Sequence, residues 1–187
     1  MKGTRHNGRS GKDGVYNPLH NDRRFDPEHS EHIDNERVRQ NIYWDCYQGY
    51  TTMEDRGKED NFSFSQIEMA YYSEHYSDYV INQNKRHEKA RHPDRCKGVE
   101  EILKNKKTCP EESIYQLGTI DEHASVETLI RVFDEFKKEF DERFGSNVHI
   151  IDWSLHMDEA TPHIHERHVF DATNRYGEIE PKQEAAL

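Results

Sequence analysis

Residues 148–170 read VHIIDWSLH (148–156), MDEATP (157–162) and HIHERHVF (163–170) without interruption. The first segment alternates with period two, which is the mark of a strand: Val148, Ile150, Asp152, Ser154 and His156 fall on one face, and His149, Ile151, Trp153 and Leu155 on the other. Pro162 precedes the second segment, where a strand can do without its N–H. Two adjacent antiparallel strands follow, with their histidines gathered at one end. His163 and His165 share a face of their strand about 6–7 Å apart, and the returning strand brings His156 beside them. Three neutral imidazoles meeting at a point suit a divalent transition metal with positions left open for water or a substrate oxygen, and spacing alone does not choose the metal. Asp158 and Glu159 lie in the connection, where one can orient a ligand histidine and the other can accept a proton. Alternation turns Glu166 and His168 away.

Upstream, Val126, Leu129, Ile130, Phe133, Phe136, Phe140 and Phe144 form a helical stripe, with Ser125 as N-cap and Gly145 just past its end. This is a core-facing helix. Earlier still, the pattern predicts a strand over 113–119, a short helix over 99–107 and a long helix over 64–92, stopped by Pro93. Residues 1–62 mix Gly, Pro and charge with no sustained period, which predicts loops and one short helix near residues 35–47. The chain therefore divides into a loosely structured region (1–62), an α+β core (63–180) and the start of a C-terminal helix (181–187), opened by Pro181 and expected to continue in a longer protein.

Composition narrows the function classes. Leu, Ile, Val and Phe supply 34 of 187 residues, the net charge is −11 and the mean hydropathy is −1.19, so the core is modest. Ile and Phe concentrate in the C-terminal half, which places that core there. No window is apolar enough to span a membrane, and the first residues lack the apolar stretch of a signal peptide. Cys46, Cys96 and Cys109 show no C-x-x-C spacing, so a reducing, cytoplasmic setting fits best. Only residues 85–107 are net basic, with nine cations against four acids. Such a run is either a solvated helix face or a track for phosphates.

The string HMDEATPHIH (156–165) resembles the H-x-D-E-x-T-P-H-x-H signature of the Mob/Pre plasmid mobilisation and recombination proteins, relaxases of the MobV type within the HUH endonuclease class. The segment LHNDRRFDPEHSEHID (19–34) resembles that family's H-N-x-R motif. His20 with Arg23 is preferred over His6 with Arg9 because Phe25 and His32-Ile33-Asp34 continue the pattern. The resemblance implies a central antiparallel sheet with helices packed on one face. It also implies metal-dependent, site-specific nicking of one plasmid DNA strand at an origin of transfer, through a covalent 5′-phosphate intermediate. His156, His163 and His165 would hold the metal (Mn or Mg, with Zn as an alternative), Glu159 would be the base, and His20, beside Arg23, the nucleophile. Tyr16, Tyr43 and Tyr47 stay open as nucleophiles, since relaxases elsewhere in the class use tyrosine. Plasmid DNA and proteins of a conjugation machinery are the implied partners. The competing reading is a non-cleaving DNA-binding or regulatory derivative.

Overall fold

The two histidine-bearing segments lie at the centre of the sheet. The computed structural model describes residues 2–11, 14–16, 18–24 and 33–186. Its strands are β1 (Gly3–Gly8), β2 (Ser10–Gly11), β3 (Gly14–Val15), β4 (Ile42–Asp45), β5 (Gly49–Thr52), β6 (Glu111–Leu117), β7 (Val148–His156), β8 (His163–Thr173) and β9 (Ile179–Pro181). The helices are α1 (Met53–Arg56), α2 (Phe64–Lys89), α3 (Val99–Leu103), α4 (Val126–Phe144) and α5 (Gln183–Ala186). The main sheet runs in the order β1-β6-β8-β7-β4-β5, with β9 paired to β8, and every pairing is antiparallel. The α+β class with a central antiparallel sheet is as expected.

Three features differ from the sequence reading. The N-terminal 62 residues are not merely irregular, because β1, β4 and β5 all belong to the main sheet. These strands are four to six residues long, too short to show a period, and they form by pairing, β1 with β6, β4 with β7 and β5 with β4. Instead of a helix near residues 35–47, the chain has a 3-10 turn (Val38–Gln40) and then β4, whose Tyr43 is fully buried.

The helices also divide between both faces of the sheet. On one face Ile67, Tyr71, Tyr72, Tyr76 and Val80 of α2, with Ile102 and Leu103 of α3, pack on Ile151 and Val169. On the other, Leu129 and Phe133 of α4 pack on Trp153, Leu155 and Ile164. Each sheet face carries apolar side chains, so a single helical layer would leave one set in water.

The third difference is a register shift between Ile150 and Asp152 in β7. This bulge breaks strict alternation, so Val148 and Ile150 join Trp153 and Leu155 on the α4 side, while Ile151 packs under α2. Beyond the bulge, Asp152, Ser154 and His156 share the α2 face with their partners Arg167, His165 and His163.

Both long helices begin as their sequences dictate. Ser63 caps α2 in a reciprocal box with Gln66, and the Ser125 hydroxyl accepts from the Thr128 N–H at the start of α4.

Candidate metal centre

His156 ends β7 and His163 begins β8, and the two are register partners; His165 pairs with Ser154 one step along the same face. The ring centroids of His156, His163 and His165 lie 4.9–5.3 Å apart. His20 joins them, its ring 5.7 Å from that of His156 and 5.4 Å from that of His165.

The chain orients each of the three buried rings through one nitrogen. His156 Nε2–H donates to the Asn21 carbonyl (2.8 Å), and His163 Nδ1–H donates to the Thr161 carbonyl (2.8 Å). His165 Nδ1–H donates to Glu112 Oε1 (3.1 Å). The other nitrogens keep their lone pairs and point inward. His163 Nε2 and His165 Nε2 stand 3.1 Å apart, and His156 Nδ1 is buried with no hydrogen-bond partner among the described residues.

Burial lowers the pKa of His156 well below that of a free imidazole, with His165 and Arg23 adding to the effect. Burial and His165 lower that of His163. Two facing lone pairs and an orphaned third nitrogen are costly unless a cation sits among them. The 3.1 Å separation also suits two nitrogens each about 2.1 Å from one ion. The residues present thus fit a divalent metal. Two sets of potential ligand atoms overlap here: His20, His156 and His165, and His156, Glu159 and His163.

His20 arrives on a turn, residues 18–23, in which the Asn21 and Asp22 N–H groups both donate to the Pro18 carbonyl. The side chains that follow His20 fasten this turn. Asn21 donates to Glu112 Oε2 (2.8 Å), and Asp22 accepts from the Phe64 N–H at the start of α2 (2.9 Å) and from Arg56 (3.2 Å). Arg23, with φ +53°, is buried and forms a two-pronged pair with Asp158 (2.9 and 2.8 Å). It also donates to Glu159 Oε1 (2.7 Å), and its Nη1 reaches His20 Nε2 at 3.3 Å. The His20 side chain itself remains 51 % exposed. Burial, reinforced by Arg23 and His165, brings its pKa down to about 4, so it is neutral at pH 7. Its Nε2 lies 3.7 Å from Glu159 Oε1.

His20, Arg23, His156, Glu159, His163 and His165 therefore meet in one place. His6 does not join them, since it lies in β1 opposite Ile114. Phe25 and His32 fall outside the described residues. Tyr43 is buried with its hydroxyl on Met53 Sδ and its pKa pushed up to about 12, and Tyr47 bonds to Glu74. Tyr16 is exposed at 38 %.

The sequence reading missed Glu112, Asn21 and Arg167. Arg167 lies one step down the same face of β8, pairing with Glu68 (2.5 Å) and with Glu112 Oε2 (3.2 Å). Burial pushes the Glu112 carboxyl up, but the bond from His165 and the Arg167 charge outweigh it and hold it at about 2. Glu112, not Asp158, orients a cluster histidine; Asp158 is occupied by Arg23. No local pattern announces Glu112, which is 44 residues from the nearest cluster histidine in sequence. Alternation on β8 does place Arg167 on the histidine face.

An antiparallel sheet with helices packed against it is a fold found in relaxase domains. Solved structures share the fold. The MobM relaxase domain (MOBV; Mob_Pre) bound to plasmid pMV158 oriT DNA, in an Mn-bound crystal structure at pH 6.8, aligns at 19% identity and TM-score 0.55, covering 96% of this chain and 74% of that one. The Mn-bound structure at pH 4.6 aligns at 18% identity and TM-score 0.52, covering 90% and 70%. No curated protein matches in sequence. The family model for Mob_Pre, plasmid recombination enzyme, matches residues 56–183, and the chain belongs to that family.

Proposed function

We propose that this protein is a metal-dependent relaxase of the HUH type, which nicks one strand of plasmid DNA at an origin of transfer and keeps the 5′ phosphate covalently on His20. The observation that carries this reading is the convergence of a neutral, half-exposed His20 on the inward-facing nitrogens of His156, His163 and His165. The MobM relaxase domains that share the fold are Mn-bound and hold oriT DNA, which supports Mn as the metal and plasmid DNA as the substrate.

His156, His163 and His165 would hold the metal, which when bound polarises a phosphate oxygen and stabilises charge gathering on phosphorus. Electrostatics make a cation necessary for binding. Around the cluster, Arg23 is engaged by Asp158 and Glu159 and Arg167 by Glu68 and Glu112, so a bound cation would supply the positive charge that a phosphodiester needs.

In the step itself, a ring nitrogen of His20 gives its lone pair to phosphorus, forming the P–N bond as the P–O3′ bond breaks. The N–H proton displaced from the His20 ring passes to a base and from it to the leaving 3′ oxygen, so the step needs no further acid. Glu159 is the carboxylate nearest the ring, 3.7 Å from Nε2, and Arg23, which donates to both, holds them in place. The covalent bond retains the phosphodiester energy, so rejoining to a 3′ hydroxyl is the reverse step. The reaction belongs to the cytoplasm, with proteins of the conjugation machinery receiving the covalent complex. No helix among the described residues is long and apolar enough to cross a membrane.

The test is incubation with supercoiled plasmid carrying a cognate origin, with and without Mn²⁺, followed by denaturing electrophoresis. Nicked plasmid bearing a covalent protein adduct only when metal is present is the expected result. Origin binding without nicking at any metal concentration would instead mean a non-cleaving derivative.

A further inference from the structure

The net basic stretch plays no part in the site above. The C-terminal end of α2 and the turn after it hold six cations against two acids over residues 85–98. Lys85, Lys89, Arg91, Arg95 and Lys97 are exposed, and among the described residues none of the five is paired with a carboxylate. A second segment adds to the same end of the molecule. The β8–β9 turn is built by Asn174, whose Oδ1 accepts from the N–H groups of Tyr176 (2.8 Å) and Glu178 (3.2 Å), and by Gly177 at φ +79°.

Arg86 fastens that turn to α2 through two 2.8 Å bonds to Glu178. The Arg86 and Arg175 guanidinium groups lie 4.2 and 4.8 Å from the centre of the Tyr176 ring, and Arg175 and Lys182 line a cavity of about 670 Å³ between the turn and α2. The helix dipole accounts for cations in the last turn of α2. It does not account for Arg95 and Lys97 beyond the helix, or for Arg175 across from it.

We propose that this basic pole is a second DNA-contact surface, which takes the phosphate backbone of duplex DNA flanking the strand engaged at the histidine cluster. It rests on the relaxase reading for its ligand. From His165 to Thr173 along β8 is about 26 Å at the rise of a strand, or roughly eight base pairs of duplex. The pole supplies what the cluster lacks, since the rest of the chain is acidic and phosphate affinity comes from unpaired cations.

The variant Lys85→Gln/Lys89→Gln/Arg91→Gln/Arg175→Gln tests this by fluorescence anisotropy across a salt series. The probes are a random duplex of about 30 base pairs and a single strand of about four nucleotides, too short even when extended to reach both surfaces. On the duplex, the slope of log affinity against log salt should fall by about 2 to 4 and low-salt affinity by about tenfold or more, with the short strand unchanged. Equal duplex affinity and slope for variant and wild type would overturn the proposal, as it would if the pole served an acidic protein instead. A charge-preserving variant, Lys89→Arg/Arg91→Lys, should keep the wild-type slope, which separates charge from folding. Adduct formation on cognate plasmid is scored separately. A chain that forms no adduct yet loses duplex affinity in the variant refutes the nicking reading and leaves the surface standing.

Discussion

Glu112 joins the histidine cluster to the turn that carries His20, since it accepts from His165 on one oxygen and from Asn21 and Arg167 on the other. Glu112→Gln should lower metal affinity by about 10- to 100-fold, as is usual when the partner that orients a ligand histidine is lost. Isothermal titration with Mn²⁺ measures this, alongside His163→Ala and His165→Ala, for which binding should vanish. His20→Ala should retain the metal and form no covalent adduct; an adduct in that variant would assign the nucleophile to a tyrosine.

Protonation acts at the same scale. The pKa values of His20, His156 and His163 are lower folded than the 6.5 of a free imidazole, so the unfolded chain binds more protons as pH falls. Their contribution to stability is complete above about pH 6.5 and is lost on acidification, for His20 down to about pH 4. Urea unfolding of metal-free protein between those values should show stability rising with pH. Asp152 works in the opposite sense. Its buried carboxyl has no hydrogen-bond partner among the described residues, and burial raises its pKa, so it favours the fold only while protonated. Asp152→Asn should stabilise the protein near neutral pH by about 1 kcal/mol or more, read from the urea midpoint.

Among the elements, β7 and β8 were legible in advance because nine and eleven residues are enough to display a period, and Pro162 marks where the second begins. α4 was legible for the same reason. β1, β4 and β5 were not: β1 and β4 become strands only beside partners far away in the chain, and β5 only by folding back on β4. The bulge in β7 was equally hidden, because VHII reads as well in either phase. At the site, the histidines, Arg23 and Glu159 lie inside motifs, whereas Glu112 and Asn21 take their roles from contacts that cross the sheet. Ile164, fully buried under α4 in the same strand as the histidines, ties the core to the site. Ile164→Ala should cost about 2–5 kcal/mol in chemical denaturation. Ser63→Ala, which removes the α2 cap, should cost about 1 kcal/mol.

At the scale of the whole molecule, the sheet carries chemistry at one end of β8 and unpaired positive charge beyond the other. The consequence of that basic pole is directional. A polyanion approaching from afar meets a strongly lopsided field, so it turns the protein before the two touch, and encounters that begin with the acidic flank are repelled. Arrival rates should therefore drop steeply as ions are added while departure rates barely move, a kinetic asymmetry that stopped-flow mixing with duplex DNA would record.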